Sequence, residues 1–145
     1  MSDFTVSLTR TGRQIEAQQL VYGYAYEIQF FELGSGGHDP ANPTVALPLN
    51  TDVTELPGVF FGPKPFDSAI MMTPTCSQFT CVAQQGDAVG GISNLGLIGV
   101  ITYVPTGSPL GAPVEGSQFL HSLCNFALNY KVSSSRESFV VKIKT

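Results

Sequence analysis

Gly90-Gly91-Ile92-Ser93-Asn94-Leu95-Gly96-Leu97-Ile98-Gly99-Val100-Ile101-Thr102-Tyr103-Val104 is the stretch whose reading decides the fold. From Leu95 onward both alternating sets of positions are apolar, Leu95, Leu97, Ile101 and Tyr103 on one and Ile98, Val100 and Val104 on the other. A strand with that pattern is covered on both faces and lies in the middle of its sheet. Gly90, Gly91 and Gly96 predict a bulge or close backbone approach where a side chain would not fit. No GxGxxG spacing leads into a helix, so the stretch reads as packing and assembly, not as a dinucleotide site.

Working outward, the rest of the chain also alternates with a period of two. Phe4-Thr5-Val6-Ser7-Leu8-Thr9 predicts a half-buried strand with Phe4, Val6 and Leu8 inward, turned by Thr11-Gly12. Leu20 to Phe30 carries large residues at every even position and predicts a second strand, on which Tyr22, Tyr24 and Tyr26 form a row. Phe66 to Met72 and Gln78 to Ala83 predict two more strands around Pro74, with a turn at Gly86-Asp87. Phe139, Val141 and Ile143 alternate with Lys142 and Lys144 in a last strand. Gln118 to Tyr130 fits a helix or a strand, and periodicity alone does not decide between them. Two long Gly/Pro-rich loops interrupt the pattern, one from Gly34 to Pro43 and one from Thr106 to Pro113. The expected class is all-β, an antiparallel β-sandwich with long Gly/Pro-rich loops, forming a single domain over residues 1–145.

At 145 residues the chain can bury its own core. Only 12% of its residues are charged, about half the usual share. A chain this short of charge is expected to hide part of its surface in an assembly. Seven Lys and Arg residues against a net charge of -4 argue against nucleic acid, which needs a clustered basic footprint. No apolar run approaches the roughly 18 residues of a membrane span. Met1-Ser2-Asp3-Phe4 lacks the charged and apolar regions of a signal peptide, which predicts synthesis in the cytoplasm. Cys76, Cys81 and Cys124 show no CxxC or Cys/His spacing and read as buried free thiols.

His38 and Asp39 are the pair closest to metal or acid–base chemistry, but no third partner stands at a recognisable spacing, and Asp39-Pro40 reads as a turn. His121 reads as a hydrogen-bonded core residue. Glu16, Glu27, Glu32, Asp67 and Asp87 are scattered, with no pairing that would mark a polysaccharide-cleaving site. The expectation is therefore a non-enzyme with no cofactor and no metal. Tyr22, Tyr24, Tyr26 and Tyr103 support an alternative, a carbohydrate-binding β-sandwich module, if their faces are open.

Four features in order resemble the N-terminal, tail-attaching domain of bacteriophage tail-collar and tail-fibre proteins. They are a long strand leading into Gly36-Gly37-His38-Asp39-Pro40-Ala41-Asn42-Pro43; a proline-broken segment with Thr51-Asp52-Val53-Thr54-Glu55-Leu56; the core Gly91-Ile92-Ser93-Asn94-Leu95-Gly96-Leu97; and Phe119 to Ala127 followed by a terminal strand. Asn94 stands where the family usually has Glu, and Ala127 where it usually has Pro. The resemblance spans about Leu20 to the end of the chain and implies that Gln118 to Tyr130 is a strand. It implies a structural protein of a phage or phage-like tail, located in the virion, that docks onto copies of itself, with a trimer favoured, and onto other tail or baseplate proteins. Family members continue into a fibre shaft and receptor-binding tip, whereas this sequence ends at Thr145. An adaptor or fibre base is thus expected. Its interface candidates are His38, Asp39, Pro40 and Asn42 on the first loop and Pro109, Leu110 and Pro113 on the second.

Overall fold

In the computed structural model, which describes residues 2–144, every residue from Ile92 to Gly99 is buried. The chain runs through β1 (Ser2–Thr5), β2 (Ser7–Leu8), α1 (Arg10–Tyr22), β3 (Ala25–Gly34), β4 (His38–Asp39), β5 (Asn42–Ala46), β6 (Val59–Pro65), β7 (Ser68–Thr73), β8 (Cys76–Ala83), β9 (Gly90–Tyr103), β10 (Gln118–Lys131) and β11 (Glu137–Lys144). β9 lies between β10 and β3 in a five-stranded sheet ordered β2-β10-β9-β3-β6. A four-stranded sheet runs β1-β11-β8-β7, and β4 and β5 form a separate pair. The protein is all-β apart from α1, and the double-sided burial expected of the central strand holds from Ile92 to Gly99, whereas Tyr103, also expected to be covered, is exposed and Val104 lies beyond the strand.

The two larger sheets share one core. Phe79, Cys81, Ala83, Phe139, Val141 and Ile143 come from the four-stranded sheet, and Phe31, Leu33, Ile92, Leu95, Leu97 and Cys124 from the five-stranded one. Each large side chain fully buried there stabilises the fold by about 1.5–3 kcal/mol relative to exposure. On the opposite side of β9, the side chains of Leu56 and Leu120 lie over Gly96, where a Cβ would collide with Leu120. That is the close approach the glycine foretold.

Phe4 to Thr9 behaves differently from a single strand. β1 pairs with β11, β2 pairs with β10, and the chain crosses from one sheet to the other at buried Val6. The inward set is as expected, with Phe4 and Leu8 packed against the core. Crossing in this way sets β1 alongside β11 in parallel, a departure from the expected antiparallel arrangement; every other described pairing is antiparallel.

The strand expected from Leu20 to Phe30 is corrected more deeply. Residues Arg10–Tyr22 form a helix, and β3 begins only at Ala25. Thr9 starts the helix: its Oγ1 donates to the Leu120 carbonyl at 2.6 Å and accepts from the Gly12 amide at 2.9 Å, satisfying an otherwise orphan N–H. Gly23 ends it in the left-handed region (φ 74°), with its N–H on the Gln19 carbonyl at 3.0 Å. The Arg, Gln, Glu and Ala residues between are good helix formers. Only Gly12 and Ile15 are buried, so the helix carries no apolar stripe that would announce it. Thr11-Gly12 accordingly opens a helix instead of turning a hairpin.

β10 is a strand, as the resemblance implies. Leu120 to Cys124 are buried between β9 and β2, a position that hides both faces. Charge also fastens the two sheets. Lys64 on β6 donates to the Val82 carbonyl of β8 and to Asp87, each at 2.9 Å, and Lys131 at the end of β10, 2% exposed, donates to the Gln84 carbonyl at 2.8 Å. Asp87 also accepts from the Gln84 amide, and its hydrogen bond from Lys64 holds its carboxyl below the usual range.

Leu97→Asp places a charge in the shared core with no partner, so we expect no cooperative thermal transition in that variant. Leu97→Ala should still fold, with a loss of about 2–5 kcal/mol in denaturant melts. A soluble, cooperatively melting Leu97→Asp protein would contradict the placement of β9.

Candidate functional site

Ser93 and Asn94 are both 0% exposed on a strand whose other buried residues are apolar or glycine, and their polar groups organise the surface around them. The Ser93 hydroxyl accepts from the Gly37 amide at 2.8 Å and lies 2.9 Å from His38 Nδ1. Asn94 Nδ2 donates to the Pro57 carbonyl at 2.8 Å. The first loop and the proline-broken segment are thus fastened to the same two residues. Gly37 packs so closely that a Cβ there would collide with the Ser93 backbone. The 34–43 stretch is therefore not a free surface loop: Gly34 and Gly37 are buried, and the remainder folds back as β4 and β5. Asn125 on β10 reaches the Leu47 carbonyl at 3.2 Å and ties the hairpin down from the other side.

Within that hairpin, His38 and Asp39 are half-buried while Pro40 and Asn42 are exposed. Asp39 Oδ1 accepts from the Ala41 amide at 2.9 Å, the turn expected of Asp-Pro. His38 borders a cleft of about 370 Å3 lined by Ser35, Phe60, Val89, Gly90, Gly91, Leu128 and Tyr130. That size falls in the usual range for ligand-holding clefts, roughly 300–1,000 Å3. Phe60, Val89 and Tyr130 are 44%, 51% and 72% exposed, so its rim is apolar and open. Sequence reasoning found His38 but not these three, which come from separate elements.

The second loop lies beyond Tyr103, at the other end of β9. Its backbone is tethered by Val104 N–H to Glu115 Oε1 at 3.0 Å and Gly116 N–H to the Ile101 carbonyl at 2.8 Å. Leu110 is fully exposed at its tip, Pro109 is exposed and Pro113 half-buried. The end of α1 is adjacent: Ala25 pairs with Tyr103, and Gly23 sits against Pro105. Leu20 and Val21 at that helix end, Tyr103 at the strand end and Leu110 and Val114 in the loop are all exposed, so this end is apolar as well. The structure does not bring the two candidate loops together; ten residues of strand set them roughly 30 Å apart.

No continuous tyrosine platform forms among the described residues. Tyr22 ends the helix, Tyr24 is only 2% exposed, and Tyr26 turns its hydroxyl inward to donate to Glu16 Oε1 at 2.9 Å. Alternation along one strand would have aligned the three rings; the helix breaks that register. Tyr26 belongs instead to a cluster in which His121, 2% exposed, has Nε2 3.4 Å from Tyr26 and 3.6 Å from Glu16, with Nδ1 3.1 Å from the Ser122 hydroxyl. Burial, then the hydrogen bond to Glu16, push the Tyr26 hydroxyl well above its ordinary range. Burial holds the His121 imidazole below its ordinary 6.5, and Glu16 acts in the opposite sense. No cleft described above reaches these groups, so the cluster clamps α1 onto β3 and β10.

Two acids do share a cleft. Glu32 and Glu55 line a hollow of about 250 Å3 with Thr54, Ile98 and Phe119, and burial, then the Glu55 charge, raise the Glu32 carboxyl. The pair is invisible to spacing because it joins β3 to the proline-broken segment. The hollow is smaller than typical ligand pockets of roughly 300–1,000 Å3. Cys81 and Cys124 are buried and Cys76 is half-buried, all as free thiols. Burial pushes the Cys124 thiol up to about 12 and the Cys81 thiol higher, which keeps both protonated and unreactive. Among the described residues no group of three or more His, Cys, Asp or Glu side chains could hold a metal ion, and no helix is long and apolar enough to cross a membrane.

Ser93→Ala leaves the Gly37 amide buried without its acceptor, so stability should fall by about 1–3 kcal/mol. Amide exchange should accelerate in 35–47 more than in β8 or β11; uniform acceleration would argue against a local fastening. His121 takes up its proton less readily folded than unfolded, so its neutral form favours the fold. That contribution is complete above 6.5 and is lost as pH falls from there toward the depressed folded value. Melting temperature should drop on acidification through this window, and His121→Gln should flatten the drop.

A scan of family profiles, a search of curated proteins and a search of solved structures returned no match to this chain.

Proposed function

We propose that the chain is a structural component of a bacteriophage or phage-like tail, a fibre-attachment or baseplate adaptor that acts by docking and catalyses no reaction. The observation that carries this reading is the pair of open apolar ends on one rigid strand. Val89, Phe60 and Tyr130 stand at the start of β9, and Leu20, Val21, Leu110 and Val114 beyond its finish. A strand of 14 residues spans roughly 40 Å, enough to separate two neighbours. Such ends desolvate at little electrostatic cost and supply affinity through buried area.

The four sequence features of the tail-attaching resemblance also meet around one place. Ser93 and Asn94 of the third feature hold the first and second through His38 and Pro57, and Asn125 of the fourth pairs opposite Asn94. On this reading the partners are further copies of the chain, with a trimer favoured, and neighbouring tail or baseplate proteins; nucleic acid and membrane insertion play no part. The site of action is the virion, after synthesis in the host cytoplasm. The carbohydrate-binding alternative loses its tyrosine row, since Tyr24 is buried.

Leu110 touches nothing that supports the fold at its fully exposed tip. Leu110→Asp should leave the melting temperature of the isolated chain unchanged and reduce its incorporation into particles, measured by quantitative mass spectrometry of purified tails. Normal incorporation would remove the second loop from the interface.

A further inference from the structure

The two larger sheets have four edges, and three are closed to further pairing. β1 is four residues long and carries Asp3, bonded to Lys142 at 3.2 Å. β2 is two residues long and runs directly into α1. β6 contains Pro63 and Pro65, which lack an N–H, and turns Lys64 inward onto Val82 and Asp87. Short strands, prolines and inward charges are the devices by which sheet edges avoid other chains.

β7 has none of these. Ser68-Ala69-Ile70-Met71-Met72-Thr73 carries no charge and no proline, all six residues are exposed, and Ile70, Met71 and Met72 are each more than half exposed. Alternate residues of an edge strand direct N–H and C=O outward, where only solvent meets them. Ala69 pairs with Phe79 and Met71 with Ser77, so both point to the same side as a core residue yet remain open. β7 thus overhangs the core, beside an apolar groove of about 170 Å3 lined by Ala69, Ile70, Met71, Ser77 and Phe79.

We propose that β7 pairs antiparallel with β7 of a second copy across a two-fold axis, joining two four-stranded sheets into one of eight strands. Charge selects both the partner and the direction. β7 is an uncharged strip with an acid before it and a base at its far end, so a second copy running the opposite way presents the complementary charge to each end. Asp67 precedes the strand, whereas exposed Lys144 lies at its far end beside Met72, Thr73 and Cys76. Antiparallel self-pairing sets the acid of each copy toward the basic end of the other, and parallel pairing would set like against like. The contact is isologous and closes at two copies. It stands apart from both apolar ends and does not rest on the tail reading.

Sedimentation equilibrium of the full chain over a wide concentration range tests this. The wild type should be dimeric, or an even multiple if the ends also associate. Ile70→Lys should weaken the pairing at least about tenfold while melting normally, and Met72→Lys serves if Ile70→Lys does not fold. Asp67→Lys and Lys144→Glu should each weaken it, and the double variant should recover. A wild type that stays monomeric, an assembly whose mass the lysine variants leave unchanged, or a double variant that fails to recover would each overturn the proposal. None of these results bears on particle incorporation of Leu110→Asp, so the two readings fail separately.

Discussion

Two polar side chains in the dry middle of β9 impose the constraint to which the surrounding loops answer. A hydroxyl and a carboxamide buried without partners would cost several kcal/mol between them, so the chain must bring donors and acceptors to Ser93 and Asn94. Gly37 and His38 meet the Ser93 hydroxyl and the Pro57 carbonyl accepts from Asn94 Nδ2, while Asn94 Oδ1 stays buried without a hydrogen-bond partner among the described residues. Those contacts demand close backbone approach, which explains a glycine at 37, and they convert two irregular segments into fixed surface.

On the docking proposal, fixing the loops matters because affinity suffers from ordering costs. A segment already held in its bound shape forfeits little entropy when a partner covers it. The hairpin of β4 and β5 is held by Ser93 from below and Asn125 from the side, and the 104–117 loop by Glu115 and Gly116. Both ends of β9 therefore present rigid apolar groups. Inside the fold, His121, Glu16 and Tyr26 do the equivalent for α1, whose own buried face is only Gly12 and Ile15.

What the sequence disclosed follows from where each signal lies. β9, β8, β11 and the inward set Phe4, Val6 and Leu8 were legible because burial against a sheet writes itself locally, at every second residue. α1 was illegible for the converse reason: with two buried positions in 13 residues it has no periodic stripe, and the chance alternation of Leu20, Tyr22, Tyr24 and Tyr26 spoke louder. The turn between β1 and β2 was hidden because Val6 keeps its inward place while the chain changes sheets. For the candidate surfaces, exposed proline and leucine marked the second loop, but the contribution of Leu20 and Val21 depends on a helix end meeting Pro105. The Glu32–Glu55 pair and the Phe60–Tyr130 rim are likewise made by tertiary proximity, which no spacing encodes.

The scarcity of charge acquires a physical meaning once its placement is known. Of seven basic residues, Lys64 and Lys131 serve as internal fasteners between strands and turns, and Lys142 holds β1 through Asp3. Among the acids, Asp87 and Glu16 are likewise committed to contacts within the chain. A protein that remains alone in water ordinarily places its charges outward, where they keep copies apart and interrupt apolar patches. Here Lys64, Lys131 and Asp87 are held in contacts within the chain, while Leu110, Leu20, Val21, Met71 and Tyr130 stand exposed. On the docking proposal, these open apolar residues are the surface that neighbouring subunits would cover.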